Sequence, residues 1–368
     1  MGGWSKVERF RALTAAPLLW LAACGSEPLS SAETDEDSGL GGTLLSVPVP
    51  SSGEALVALA TPAVLPVVGE ERPAFGWDLG FRGLEVFTNG GVSSSGAGAA
   101  FGLLSLPTFL SDTAPAVPFL SADQAGGAFR RWYAYDSENH LILSRFHRYG
   151  VHAAGRLFKV QLLGYYGGRS GDTSARYSLR FAEFSDGVAL PTQELTEIDG
   201  SAAGDPSNPS TESSCIDLGT GTVLSLTPAQ ALARTDWHLC FRRDAVSVNG
   251  GAGGPGGVAA LDLDAESSDT ESVESLRAMT PEAELARFDA LSSDELTNAL
   301  PAFQTDRVVT AFSDRWLVPS AMPPEPAAGV WLVVGADGIS HYLLIFERFQ
   351  GASAASPGTV TLRSKAVL

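Results

Sequence analysis

Apolar and polar residues alternate with a period of two along many short stretches of the chain, the signature of strands half-buried against a core. Trp77-Asp78-Leu79-Gly80-Phe81 is one such stretch, Glu85-Val86-Phe87-Thr88 continues it, and Asn89-Gly90-Gly91 then supplies residues that tolerate the positive φ of a tight turn. Residues 149–166 read as a hairpin around Ala153-Ala154-Gly155, and residues 330–349 repeat it around Gly335-Ala336-Asp337-Gly338. Residues 176–181 and 359–363 are final alternating strands. Helical signal is confined to residues 271–303, where Thr280 is placed to cap, Pro281 occupies the first helical position, and Leu285, Phe288 and Leu291 follow at helical spacing. The pattern predicts a mainly β fold.

The same pattern occurs twice. At an offset of 160, Trp77, Leu79, Phe81, Arg82, Val86, Asn89, Gly90, Gly91 and Gly96 recur as Trp237, Leu239, Phe241, Arg242, Val246, Asn249, Gly250, Gly251 and Gly256. The offset then grows to 183–184, where Arg131-Trp132, Gly155 and Leu179-Arg180 recur as Arg315-Trp316, Gly338 and Leu362-Arg363. Identities in one order with a single change of offset indicate an internal duplication. They predict two tandem antiparallel β domains, residues 43–184 and 212–368, joined by a linker at 185–211. The change of offset marks an insert in the second unit, residues 262–306, with twelve acidic residues against Arg277 and Arg287. It reads as a solvated helical excursion. Its Asp262-Leu263-Asp264 start resembles a calcium loop, but Ser267 stands where that loop needs Gly and Val273 where it needs Glu.

The first 23 residues read as an address. Lys6, Arg9 and Arg11 precede a short apolar run, 12–23, too short to cross a bilayer as a helix. Leu21-Ala22-Ala23-Cys24 resembles a bacterial lipobox, which implies lipidation of Cys24 and cleavage before it; the alternative is an ordinary secretory signal. Residues 24–42 are small, polar and acidic and read as a tether. The resemblance implies a lipid-anchored envelope protein, and Ser26 rather than Asp after the lipobox favours the outer membrane. With 368 residues, 24 Lys and Arg against 42 Asp and Glu and a net charge of −18, the chain is long enough for two cores and repels phosphate backbones, so no nucleic-acid partner is expected. Once Cys24 is lipidated, Cys215 and Cys240 remain as an even pair in an exported chain. Both fall in predicted strands, and a disulfide is expected, closing a loop of about 26 residues for on the order of 3 kcal/mol. Two buried free thiols are the alternative.

Trp77-Asp78-Leu79-Gly80-Phe81-Arg82, Thr88-Asn89-Gly90-Gly91, Trp132-Tyr133-Ala134-Tyr135 and the Gly155-Arg156-Leu157-Phe158-Lys159-Val160-Gln161-Leu162-Leu163-Gly164-Tyr165-Tyr166 hairpin together resemble the HmuY family of bacterial lipoproteins. The resemblance covers residues 43–184 well and 212–368 loosely, where His238, Cys240 and Arg348-Phe349 depart from the pattern. It implies an all-β fold on the outer membrane and, for the founding members, haem held by two axial His. His140, His147 and His152 lie within thirteen residues of one another beside Tyr133, Tyr135, Phe146 and Tyr149, and are the candidate residues here for haem or another small, flat apolar ligand, with Arg145 or Arg148 available to a propionate. His238 and His341 are far apart, so no haem is expected in the second unit. The rival reading is a non-enzymatic binding or structural module without haem. No G-x-S-x-G, P-loop, H-E-x-x-H or C-x-x-C occurs in the chain, so no enzyme is expected.

Overall fold

In a computed structural model of the chain, residues 39–65, 73, 76–201, 210–313, 315–351 and 358–368 are described. The leader, Cys24 and the tether up to residue 38 lie outside the described residues. The first half of the chain supplies β1 (Thr43–Val49), β2 (Ala55–Ala58), β3 (Ala63–Leu65), β4 (Leu79–Arg82), β5 (Glu85–Thr88), β6 (Ala99–Leu104), β7 (Gln124–Gly126), β8 (Tyr133–Asp136), β9 (Leu141–Ser144), β10 (Tyr149–Ala153), β11 (Arg156–Gly167) and β12 (Thr173–Ser185). The second half supplies β13 (Val188–Ala189), β14 (Gln193–Asp199), β15 (Ser213–Asp217), β16 (Thr222–Leu226), β17 (Leu239–Arg242), β18 (Ala245–Val248), β19 (Ala259–Asp262), β20 (Arg307–Val309), β21 (Val330–Val334), β22 (His341–Gln350) and β23 (Gly358–Val367). Among the described residues four short α-helices accompany them: α1 (Pro228–Ala233), α2 (Val273–Arg277), α3 (Leu285–Asp289) and α4 (Ser293–Ala299).

The predicted hairpins form, as β10–β11 and β21–β22, each followed by its long last strand. Their larger sheets close across the two sequence units. β1 and β6 of the first unit flank the hairpin and last strand of the second, giving the order β1-β23-β22-β21-β6. Reciprocally, β19 of the second unit adds to β10 of the first, and β14 adds to β12. The registers are equivalent: Leu45 lies across from Leu362, and Leu195 across from Leu179. Hydrophobic burial follows the pairing. One core joins Leu45, Val57 and Phe81 to Trp316, Phe346 and Leu362; the other joins Val151, Phe158 and Leu179 to Leu239, Phe241 and Val258. Packing therefore departs from the contiguous domains expected at 43–184 and 212–368. Residues expected to be linker also take part, since β13 and β14 both pair with β12.

A pseudo-twofold axis relates the halves. β7 and β20 pair antiparallel with Ala125 opposite Val308, two positions that the 183-residue offset makes equivalent. A strand pairing with its own repeat about such a centre is the local form of an isologous contact.

The recurring Asn is a structural anchor. Asn89 donates from Nδ2 to the carbonyl of Trp77 and accepts from the amide of Gly96, while Asn249 donates to Trp237 and accepts from Gly256. Both are fully buried. Only the third residue of each Asn-Gly-Gly has positive φ, at Gly91 and Gly251. The second is Gly for lack of space: a Cβ on Gly90 or Gly250 would lie 2.0 Å from a carbonyl oxygen. Trp77 to Thr88 is likewise a hairpin rather than one strand, turned at Gly83 with φ 56°.

The acidic insert is docked rather than solvated. Leu276, Phe288, Leu291 and Leu296 are buried. Two cations of the sheet lie over the Phe288 ring, Lys159 Nζ at 4.6 Å and Arg180 Cζ at 5.4 Å from its centroid. Lys159 Nζ also donates to the carbonyls of Phe288 and Asp289 at the end of α3. One helix escaped the sequence reading: α1 opens with Thr227-Pro228-Ala229-Gln230, a capping box in which both reciprocal bonds form.

Candidate functional site

The three candidate His are dispersed. His140 is exposed at the tip of the β8–β9 hairpin, with φ 57° and Nδ1 2.9 Å from the Tyr135 hydroxyl. His152 is half-buried on β10, edge-on to Phe303 at 6.5 Å between ring centroids. Gly150, two residues back on that face, has no room for a Cβ because Phe303 and Leu296 cover it. His147 precedes β10 behind a bend at Phe146, where φ is 52°. Its side chain is fully buried, with Nδ1 2.8 Å from Asp262 Oδ2 and Nε2 3.2 Å from both Glu271 Oε1 and Ser267 Oγ.

These residues do not fit a haem. Each ring nitrogen of His147 already faces a carboxylate, so ligation through either would break the contact to Asp262 or to Glu271. The arginines expected to meet propionates are likewise engaged. Arg145 binds Glu271 at 2.5 Å, and Arg148 holds Asp264 from both its amide and its guanidinium. Burial raises the Asp264 carboxyl, but Arg148 and Arg287 outweigh it and hold the group below its ordinary value. The basic, His-rich segment is thus the socket for the acidic insert. The charge in each sequence segment finds its complement in the other.

The equivalent place in the other half explains why His238 stands where the first unit has Asp78. Asp78 Oδ2 accepts from the amide of Leu59 at 2.7 Å, and His238 Nδ1 accepts from the amide of Leu218 at 2.9 Å. Both side chains do one job, satisfying a strand-end amide.

Two further acids, which the sequence reading passed over, lie beside the pseudo-twofold pair. Asp123 accepts from the amides of Thr88 and Ala311 and from the Ser93 hydroxyl; Asp306, its repeat, accepts from the amide of Val248. Burial pushes Asp123 up to about 6 against these bonds, and Asp306, with only its backbone bond in opposition, up to about 7. Their common offset of 183 residues was the available signal.

A cavity of about 140 Å³ opens on the seam between the halves. Leu84, Val86, Val308 and Trp316 give it apolar walls, and Arg130, Arg307, Thr310 and Ser313 a polar side. Glu85 also lines it, held by Arg82 at 3.0 Å. Trp316 is fixed by an Nε1 bond to the carbonyl of Leu84. Its repeat, Trp132, bonds equivalently to Asp244, whose carboxylate accepts from Tyr133 Oη at 2.6 Å. That bond and burial, the larger effect, push the Tyr133 hydroxyl far above its ordinary value.

Compared with protein-family models, curated proteins and solved structures, the chain matches none.

Proposed function

We propose that the chain is a non-enzymatic envelope module, anchored through a lipid on Cys24, that takes a small organic anion in the seam cavity rather than haem on its histidines. The supporting observation is the cavity itself. It combines an aromatic wall, Trp316, with Arg307, a lining residue that has no ion pair among the described residues. An apolar body with one carboxylate suits both sides of such a space. The HmuY resemblance supports the envelope setting, and the engagement of His147, Arg145 and Arg148 by the insert argues against the family's haem chemistry.

Benzoate serves as the probe. Its addition to the purified chain is expected to change Trp fluorescence saturably, and Trp316→Phe or Arg307→Gln to remove most of that response. Haemin at micromolar concentration is expected to give no saturable Soret band. A band that weakens in His140→Ala or His152→Ala restores the haem reading, and silence toward benzoate removes the cavity reading. Clickable fatty acid is expected to label the wild type in cells and not Cys24→Ala.

A further inference from the structure

We propose that the excursion between β6 and β7 is the face that lies against the membrane carrying the lipid anchor; the idea rests on the lipoprotein reading above. Four large apolar side chains stand exposed within this one excursion and the strand before it: Leu103 (39%), Leu106 (48%), Leu110 (59%) and Phe119 (56%). Alternating with them, Leu104, Phe109, Val117 and Leu120 turn inward onto the outer face of the five-stranded sheet, against Val330, Leu332, Leu343 and Ile345. The excursion is thus a fixed apolar layer with one face packed and one face open.

Two observations name the lipid surface as the occupant. The chain enters the fold at this layer: Leu40 packs into the same cluster, and a Cβ on Gly42 would lie 3.3 Å from the Phe109 ring. About 15 residues separate Gly39 from Cys24, so an anchor there is tethered within at most ~50 Å of this face. Charge agrees. In a chain of net charge −18, residues 101–122 carry one charged side chain, Asp112, and Lys365 pairs with it at 3.1 Å. The equivalent excursion between β19 and β20 is the insert with twelve acidic residues. One cover carries a single, paired charge and is adhesive to an interface, and its repeat is repelled by anionic headgroups, so docking has one preferred side.

The test uses the acylated full chain reconstituted into vesicles of phosphatidylethanolamine and phosphatidylglycerol, with fatty-acid labelling measured separately. Amides of 103–120 are expected to exchange severalfold more slowly on vesicles than in vesicle-free solution. Leu106→Glu with Leu110→Glu is expected to restore the solution rate while the acylated chain stays bound; Phe119→Ser serves if that pair perturbs folding. Unchanged exchange in a labelled, bound chain overturns the proposal and leaves the lipoprotein reading intact. If no label is incorporated, sedimentation of the Cys24→Ser chain with the vesicles decides. Binding that the Glu pair abolishes supports the surface, and no binding overturns it. Protection that appears without vesicles, together with a dimer in light scattering, overturns it in favour of a second copy.

Discussion

Asp123 and Asp306 set the sign of the pH dependence expected near neutrality. Both are buried, and no cation pairs with either among the described residues. Their folded pKa values, about 6 and about 7, lie above that of an unfolded Asp near ~3.9. The folded state therefore holds two protons that the unfolded state has released. Their stabilising contribution is full below pH ~4 and is lost as pH rises through 6 and 7. At about 1.4 kcal/mol per unit, the pair is worth several kcal/mol. The expected outcome is a melting temperature that rises from pH 8 to pH 5, and an Asp306→Asn chain that is more stable than wild type at pH 8 with a flatter pH profile. Below pH 4 the trend reverses. Asp264, Glu271 and Asp136 are held below their ordinary values, the first two by partners that outweigh burial and Asp136 chiefly by Arg277, and their contribution is lost there. A melting temperature that falls steadily from pH 8 to pH 5 contradicts this account.

At the scale of elements, the two halves fill the same space by different means. Gly80 lies opposite Phe87 on β4–β5, and its missing Cβ makes room for the ring: a Cβ there would lie 2.1 Å from it. On β17–β18 the same positions are Cys240 and Ser247. The volume of the phenyl is replaced by the disulfide from Cys240 to Cys215, which stands opposite it on β15 beside Trp237. The expected pair thus stands at disulfide distance, and its position makes it part of a core. Cys215→Ala with Cys240→Ala is expected to cost about 2–5 kcal/mol in chemical denaturation. Replacing Cys215 by Leu, Cys240 by Gly and Ser247 by Phe copies the other half, and is expected to recover most of that loss. Failure to recover any of it would show that the covalent closure, and not the filled volume, carries the stability.

At the scale of the molecule, sequence reasoning identifies the strands, the duplication and the Cys pair, and misassigns which strands meet. The reason is physical. A duplicated chain carries each strand pattern twice: Leu45 meets Leu362 on β23, and β12 offers Leu179 at the equivalent position. Pattern fixes register within a pair but does not choose between equivalent partners. The three candidate haem ligands are set apart for a related reason. The nearness of His140, His147 and His152 along the chain says nothing of the face each takes or of the acids that the insert brings to His147. Reciprocal exchange also has a consequence for cleavage. A protease site introduced at 202–209 is expected to give two fragments that co-elute in size exclusion until denaturant is added, because each core is built from both. Fragments that part under native conditions would indicate self-contained halves.

Cross-linking tests the exchange most directly. Ser46 lies across from Thr361 on β1 and β23, and Ser178 is the equivalent of Thr361 in the first unit. The exchanged fold predicts that Ser46→Cys with Thr361→Cys forms an intramolecular disulfide, found by mass spectrometry of the oxidised monomer, while Ser46→Cys with Ser178→Cys forms none. A bond from position 46 to position 178, with none to 361, contradicts the account and returns each repeat to a domain of its own.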